Sequence, residues 1–363
     1  MRRLLFHTIL SLLTICLCAC SGDEVKKPEK FLKQEEALPR FAMKNAKIYD
    51  IEGKEYIYAI VDERDAICSI DIATSRMDTI AAISQTINDF CYNSDSKIIW
   101  AAVGSHRTVW NSKTRTEIPC PCTKHYGEYI TWAGVSAYHP FFSSGNILYT
   151  GIIPTEALTD FNYDYAGFRK KASLIAAWDI SNPDSVRCVK IFGKRPSDQP
   201  KDMFIDDCYQ TAFNVEDSII VTGTELSQNV VVMTMSGKTL REKKLSSKFY
   251  VKPEKKDFSQ NHSATEKIKY WEENMLFRGL FYDKYRKLYY RILQLPKQED
   301  KSSFTKRKQD WVLIVADSKL NKKYEVKFDG DKYRWAILIG KQGVYIRTAD
   351  NPKNKTMDLF VFD

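Results

Sequence analysis

One short pattern recurs along this chain and limits its fold more than any other feature: an apolar β run, a tight polar turn, then a second apolar run. Its fullest copy is Phe277–Phe328. There Gly279-Leu280-Phe281 leads into the turn Tyr282–Arg286, and Leu288–Ile292 alternates as a strand. Trp311–Ala316 stops at Asp317-Ser318-Lys319, and Lys323–Phe328 completes a four-stranded meander. The second strand of this template returns as Tyr56-Ile57-Tyr58, Ile98-Ile99-Trp100, Ile147-Leu148-Tyr149, Ile219-Ile220-Val221 and Val344-Tyr345-Ile346. The third, a β run ending at Asp or a similar turn former, returns at Ser69–Ile72, Thr108–Asn111, Ala177–Ile180, Val232–Gly237 and Leu359–Asp363. Four strands per unit at a period of about 40 to 55 residues predict an all-β chain, a six-bladed β-propeller of four-stranded antiparallel blades. An open array or a pair of stacked sandwiches is the competing architecture.

The last copy stops at Asp363, where the other units continue into a fourth strand. The sixth blade is therefore expected to borrow its outer strand from the N-terminal side, within Phe31–Tyr49, closing the ring and covering an unpaired edge. Long connections fall only between strands two and three (Pro154–Lys171, Pro296–Asp310) or between blades (Pro119–Glu128, Gly193–Asp206, Phe249–Leu276). In a propeller both kinds open on one face, so that face gathers the insertions and the other stays trimmed. Long loops on a rigid scaffold are where binding resides. Within one of them, Ser263-Ala264-Thr265-Glu266 is a capping box that starts a short helix with Ile268, Trp271 and Met275 along one side.

The N-terminus reads as an address. Arg2 and Arg3 precede a mostly apolar run, Leu4–Leu17, too short for a comfortable membrane span. Leu17-Cys18-Ala19-Cys20 resembles the lipobox of bacterial lipoproteins, which implies cleavage before Cys20 and acylation of its sulfur. Several acyl chains would make a permanent anchor. The expected organisation is signal peptide at 1–19, lipidated cysteine and charged tether at 20–40, and one propeller domain at 41–363. Ser21 after the cysteine speaks against inner-membrane retention, and Ser21-Gly22-Asp23-Glu24 resembles the acidic export signal of Bacteroidetes-type surface lipoproteins. The expected location is the outer membrane, facing the periplasm or the cell surface. The net charge of +9 gathers in Lys243–Lys256 and Lys297–Lys308, which read as exposed loops. A nucleic-acid reading would want such charge on one face with base-stacking aromatics; in an exported protein it reads as a solvated loop surface, so no nucleic-acid partner is expected.

The run Leu280–Arg291 followed by Ile314–Leu320 resembles a family of unknown function, number 4221. That resemblance implies lipoproteins with a six-bladed, TolB-like propeller. It implies no catalytic residues, because the family has none assigned.

Chemistry-bearing residues are few. Aligning the starts of the first strands puts Asp89, Trp132, Asp207, Arg278, Arg334 and Trp335 at the channel mouth, where acidic, basic and aromatic groups suit a polar ligand. Mutual pairing of these groups is the plainer alternative. Phe161, Tyr163, Tyr165 and Phe168 form an aromatic loop suited to stacking on a sugar or peptide, or to packing on the disc. Cys120-Pro121-Cys122 with His125 and His139 is the one metal-like cluster, yet zinc wants more than one residue between paired cysteines. No metal and no cofactor are expected. Cys68, Cys91, Cys188 and Cys208 suit buried thiols as well as disulfides. No Gly-x-Ser-x-Gly, His-Glu-x-x-His, Walker or dinucleotide fingerprint occurs, which leans away from an enzyme. A ligand- or protein-binding module is therefore the leading expectation. The alternatives are a polysaccharide hydrolase or lyase and a structural subunit of an envelope complex. The partner expected besides the membrane is a small ligand, a glycan or an envelope protein.

Overall fold

The computed structural model describes residues 30–32, 44–61, 66–74, 76–104, 108–119, 129–131, 141–154, 173–199, 209–253, 264–297, 309–349 and 357–362. They form six antiparallel sheets arranged as a propeller. Blade one is β2 (Lys44–Ile51), β3 (Lys54–Val61), β4 (Ala66–Asp71) and β5 (Met77–Ala82). Blade two is β6 (Ile87–Asn93), β7 (Ile98–Val103), β8 (Thr108–Asn111) and β9 (Glu117–Pro119). Blade four is β15 (Tyr209–Asn214), β16 (Ile219–Thr224), β17 (Asn229–Thr234) and β18 (Thr239–Lys244). Blade five is β19 (Leu276–Asp283), β20 (Leu288–Gln294), β21 (Trp311–Ala316) and β22 (Lys322–Phe328).

Two blades depart from this plan. In blade three the inner strand is split into β10 (Tyr129–Thr131) and β11 (Phe141–Ser144), which pair with opposite halves of β12 (Ile147–Pro154). The remaining strands are β13 (Ile175–Asp179) and β14 (Arg187–Phe192). Blade six has β23 (Tyr333–Ile339), β24 (Val344–Thr348) and β25 (Met357–Phe360), and its fourth strand is β1 (Lys30–Leu32). β1 runs antiparallel to β25, Lys30 opposite Leu359 and Leu32 opposite Met357. The N-terminal closure is thus present, one residue ahead of the expected window and inside the stretch read as tether.

The recurring sequence features have local physical causes. The acid or amide ending the third strand folds the next turn with its own side chain. Asp71 Oδ1 accepts from the Ala73 and Thr74 amides at 2.8 and 3.1 Å, and Asn111 Oδ1 from Lys113 and Thr114 at 3.1 and 3.0 Å. Asp317 Oδ1 does the same for Lys319 and Asn321 at 2.9 and 2.8 Å. These are Asx turns, which is why Asp and Asn punctuate the repeat. The second and third strands read as continuous apolar runs because both faces of each blade are covered by neighbours. Trp100, Trp178 and Trp311, one each in blades two, three and five, are all fully buried.

On the trimmed face every blade touches the next. Lys97 Nζ lies 3.4 Å from Glu52 Oε1 across blades two and one, and Asn93 Nδ2 donates to Gly145 O at 2.7 Å across blades two and three. Phe142 stacks on Phe213 with centroids 4.3 Å apart, and Asn214 Nδ2 donates to Tyr289 Oη at 3.3 Å. Arg286 donates to Lys341 O at 2.7 Å, and Lys341 Nζ meets Asp50 Oδ2 at 2.7 Å, which returns the circuit to blade one. The hydrogen bond from Lys341 and its charge hold Asp50 below the usual carboxylate range, against a burial effect in the other direction.

Two expectations need correction. Lys243 and Lys244 belong to β18 rather than to a loop. The helix in the connection from blade four to blade five, α1 (Ala264–Glu273), buries Tyr270 most deeply, with Trp271 partly covered against Leu226 and Leu276. Its seat is set by the residue next to Trp271 as well as by the anticipated stripe.

Candidate functional site

Inner strands start on the insertion-rich face, and in four blades their pairing slips near that end. The register shifts lie between Lys44 and Lys47, between Ile87 and Asp89, between Phe277 and Gly279, and between Tyr333 and Ile337. A bulge of this kind frees residues from the ladder and re-aims their side chains. The residues skipped include Asn45, Asn88, Arg278, Arg334, Trp335 and Ala336. Three of the candidates taken from the sequence therefore sit on bulges, and Asp89 adjoins one. Asn45, with a φ of 52°, donates from Nδ2 to Asn88 O at 2.5 Å, and Asn88 Nδ2 donates to Gly104 O at 3.1 Å. The bulges of blades one and two are thus tied together.

Asp89 is 3% exposed. Its Oδ1 lies 3.0 Å from Lys47 Nζ, which also donates to the backbone oxygens of Phe90 and, at 3.1 Å, of Phe141. One ammonium thus joins the inner strands of blades one, two and three. Burial raises the Asp89 carboxyl above its ordinary range, and the Lys47 charge pulls it back only in part. The group facing Asp89 is an ammonium, which differs from the paired carboxylates of a glycosidase.

Arg278 forms an ion pair with Glu225, the residue that follows β16, and its Nε donates to Gln294 Oε1 at 2.8 Å. Gln294 Nε2 donates to Trp271 O at 2.6 Å, while Lys297 N and Gln309 Nε2 donate to Glu272 O at 2.8 and 3.0 Å. The last carbonyls of α1 are satisfied in this way by blade five. Below them Arg291 of β20 is completely buried. It donates to the carbonyls of Gln228, Leu245, Thr224 and Ser227 at 3.1, 2.7, 3.2 and 2.8 Å. Burial lowers the Arg291 guanidinium to about 9, with Asp198 and Tyr250 acting in the opposite sense, so it is a cation at neutral pH. Arg334 donates to Gly330 O at 3.3 Å, and Trp335 packs partly buried against the core between blades five and six.

Each of the described candidates has its own partners. Asp89 belongs to a pair spanning blades one to three, Arg278 to a network between blades four and five, and Arg334 with Trp335 to blade six. Trp132, Asp207, the aromatic loop Phe161, Tyr163, Tyr165 and Phe168, and Cys20 lie outside the described residues, as do Cys120, Cys122, His125, His139 and Cys208. Lys47, Glu225, Gln294 and Arg291 escaped the sequence reading. The available signal for Arg291 was a charged residue inside the apolar run Leu288–Leu293. Cys68, Cys91 and Cys188 are buried, and burial pushes the Cys91 thiol up to about 12. Among the described residues no group of His, Cys, Asp and Glu side chains is placed to hold a metal ion, and no helix is long and apolar enough to cross a membrane.

A six-bladed propeller with one trimmed face and one bulged, insertion-bearing face is the class of protein this geometry defines. The chain belongs to the family described as a domain of unknown function (DUF4221), whose model matches residues 135–327. Among solved structures it is similar to a DUF4221 family member from Bacteroides vulgatus, with a TM-score of 0.72 and 16% identity over 92% of this chain and 97% of that one. That likeness shows the fold. Looser likenesses include regucalcin, a calcium-binding protein from Agrobacterium tumefaciens, with a TM-score of 0.42 and 9% identity over 88% of this chain and 90% of that one. A streptogramin B lyase has a TM-score of 0.42 and 10% identity over 90% and 96% of the two chains. Neither carries an argument about this protein. No curated protein matches the chain.

Proposed function

We propose that this protein is a lipid-anchored, extracytoplasmic binding module whose ligand or partner docks on the insertion-rich face, over the bulged mouth of the channel. The supporting observation is the coincidence of the register shifts in blades one, two, five and six at that one end of the inner strands. Bulges are concentrated where a strand must present a side chain rather than extend a ladder. The hydrogen-bonded platform of Glu225, Arg278, Gln294 and α1 beneath the longest connections supplies the rigidity that a preformed binding surface needs. The anchor in this reading is Cys20, and the membrane is the outer membrane.

The test places a photo-crosslinking side chain at Ala336, exposed within β23, and separately at Lys97 on the trimmed face, in cells that display the anchored protein. A discrete adduct at Ala336 and none at Lys97 is the expected result, accompanied by binding on a panel of glycans and envelope extracts. Adducts at Lys97 alone would place the working surface on the wrong face. Replacement of Cys20 by alanine is expected to release the protein from the membrane fraction and abolish fatty-acid labelling.

A further inference from the structure

The direction in which β1 runs fixes which face of the disc looks at the membrane. β25 is a third strand, so it starts at Met357 on the insertion-rich side and ends at Phe360 on the trimmed side. β1 is antiparallel to it, with Lys30 opposite Leu359 and Leu32 opposite Met357. The chain therefore enters β1 from the trimmed side and leaves it on the insertion-rich side, where β2 begins. Everything ahead of Lys30, including Cys20, is attached at the trimmed face, at the rim of blade six.

The lengths favour the trimmed face toward the membrane. The stretch from Cys20 to Lys30 spans at most about 35 Å when fully extended, and as a flexible chain it averages about 17 Å end to end. A blade is about 20 Å deep from face to face. To point the insertion-rich face at the membrane, the tether would have to double back along the whole outer edge of blade six, a distance of about 20 Å that exceeds its average span of about 17 Å and takes more than half of its full extension. The lower-cost arrangement keeps the trimmed face toward the lipid.

Resting on the proposed lipidation of Cys20, we propose that the trimmed face lies against the membrane surface, blade six lowest, and that the insertion-rich face is displayed away from it. Lys54 of blade one and Lys287 of blade five, both exposed on the trimmed face and on either side of blade six, are then turned toward the headgroups. Lys252 and Lys332, exposed in the connections that open on the insertion-rich face, point into the aqueous phase. The partner met by that face arrives from the aqueous side. It is a macromolecule or soluble ligand, and it is neither a lipid nor a protein lying flush in the same leaflet.

Lysine acylation read by mass spectrometry tests the orientation. The mature chain is held on anionic vesicles in two ways: through its native lipid, and, with Cys20→Ser, through a histidine tag at the same position on nickel-chelating lipid. Relative to the free Cys20→Ser chain, modification rates at Lys54 and Lys287 are expected to be at least halved in both arms, with Lys252 and Lys332 unchanged. Slowing at Lys252 and Lys332, equal slowing on both faces, or no slowing anywhere overturns the proposal. Absence of fatty-acid labelling at Cys20 in cells defeats the anchoring reading instead. The nickel-lipid arm still reports the orientation that β1 imposes, so the two failures are distinguishable.

Discussion

The guanidinium carbon of Arg291 sits 3.6 Å from the centre of the Phe277 ring, beside a largely aliphatic and aromatic blade interface. Four backbone carbonyls of blade four complete its surroundings, so one side chain of blade five holds the loop that carries Glu225 and Ser227. Arg291→Met removes every donor and takes a hydrogen bond from each of those carbonyls, at a cost of about 3–5 kcal/mol. Arg291→Lys keeps the charge but lacks the planar fork, and should lose roughly half as much. Urea unfolding with an unchanged m value would measure both. A loss below that of an ordinary surface substitution in the methionine variant would show that the clamp is not structural.

Asp89 gives stability a pH dependence of definite sign. Its carboxyl is raised in the folded protein, chiefly by burial, so it binds a proton more tightly folded than unfolded. Its contribution to stability therefore falls as pH rises from the unfolded value of about 4 through the higher folded value, and is constant above that. Asp89→Asn lacks this slope, whereas every other titration is shared between the two proteins. The difference in unfolding free energy should change across that window; parallel curves for the two proteins would contradict it.

Two glycines separate backbone strain from inter-blade crowding. Gly53 has a φ of +85° with nothing within 4 Å of an added Cβ, whereas Gly237 has a φ of +87° and would place a Cβ 2.5 Å from Phe192 Cγ. Gly53→Ala should cost about 1 kcal/mol, the left-handed penalty alone. Gly237→Ala should cost about 2–4 kcal/mol, because blade three must also yield. Thermal midpoints of the two variants side by side check the ranking.

Removing the chain through Leu32 strips the outer strand from blade six. Three ladder positions are lost, and about 2 kcal/mol of stability should go with them. The exposed edge of β25 should pair with a second copy. Light scattering would report the association, and amide exchange at Met357 and Leu359, whose N–H groups face β1, would accelerate. A monomer of unchanged melting temperature would mean that β1 is dispensable.

What could be read from the sequence was whatever a blade writes into its own residues. The second strands were legible because Ile98-Ile99-Trp100 and its counterparts are buried on both faces, and the third strands because Asp71, Asn111 and Asp317 fold their own turns. The borrowed strand followed from counting strands, since an edge must be covered. The site was only half legible. Asp89, Arg278 and Arg334 could be placed near the insertion-rich end, but their partners come from other blades. Lys47 lies 42 residues from Asp89, and Glu225 lies 53 from Arg278. Such pairings are properties of the closed ring, and no local pattern encodes them. Arg291 was hidden for the same reason, as an arginine in a strand whose acceptors arrive from the neighbouring blade.

The short strand β1 also decides how the ring meets mechanical load. A pull on the chain ahead of Lys30, directed off the trimmed face, acts along the axis of β1 and not across it. The ladder to β25 is then strained in shear, every bond sharing the force, instead of opening one bond at a time from an end. Three residues of strand are a slight closure by area, and in this direction they are loaded in their strongest geometry.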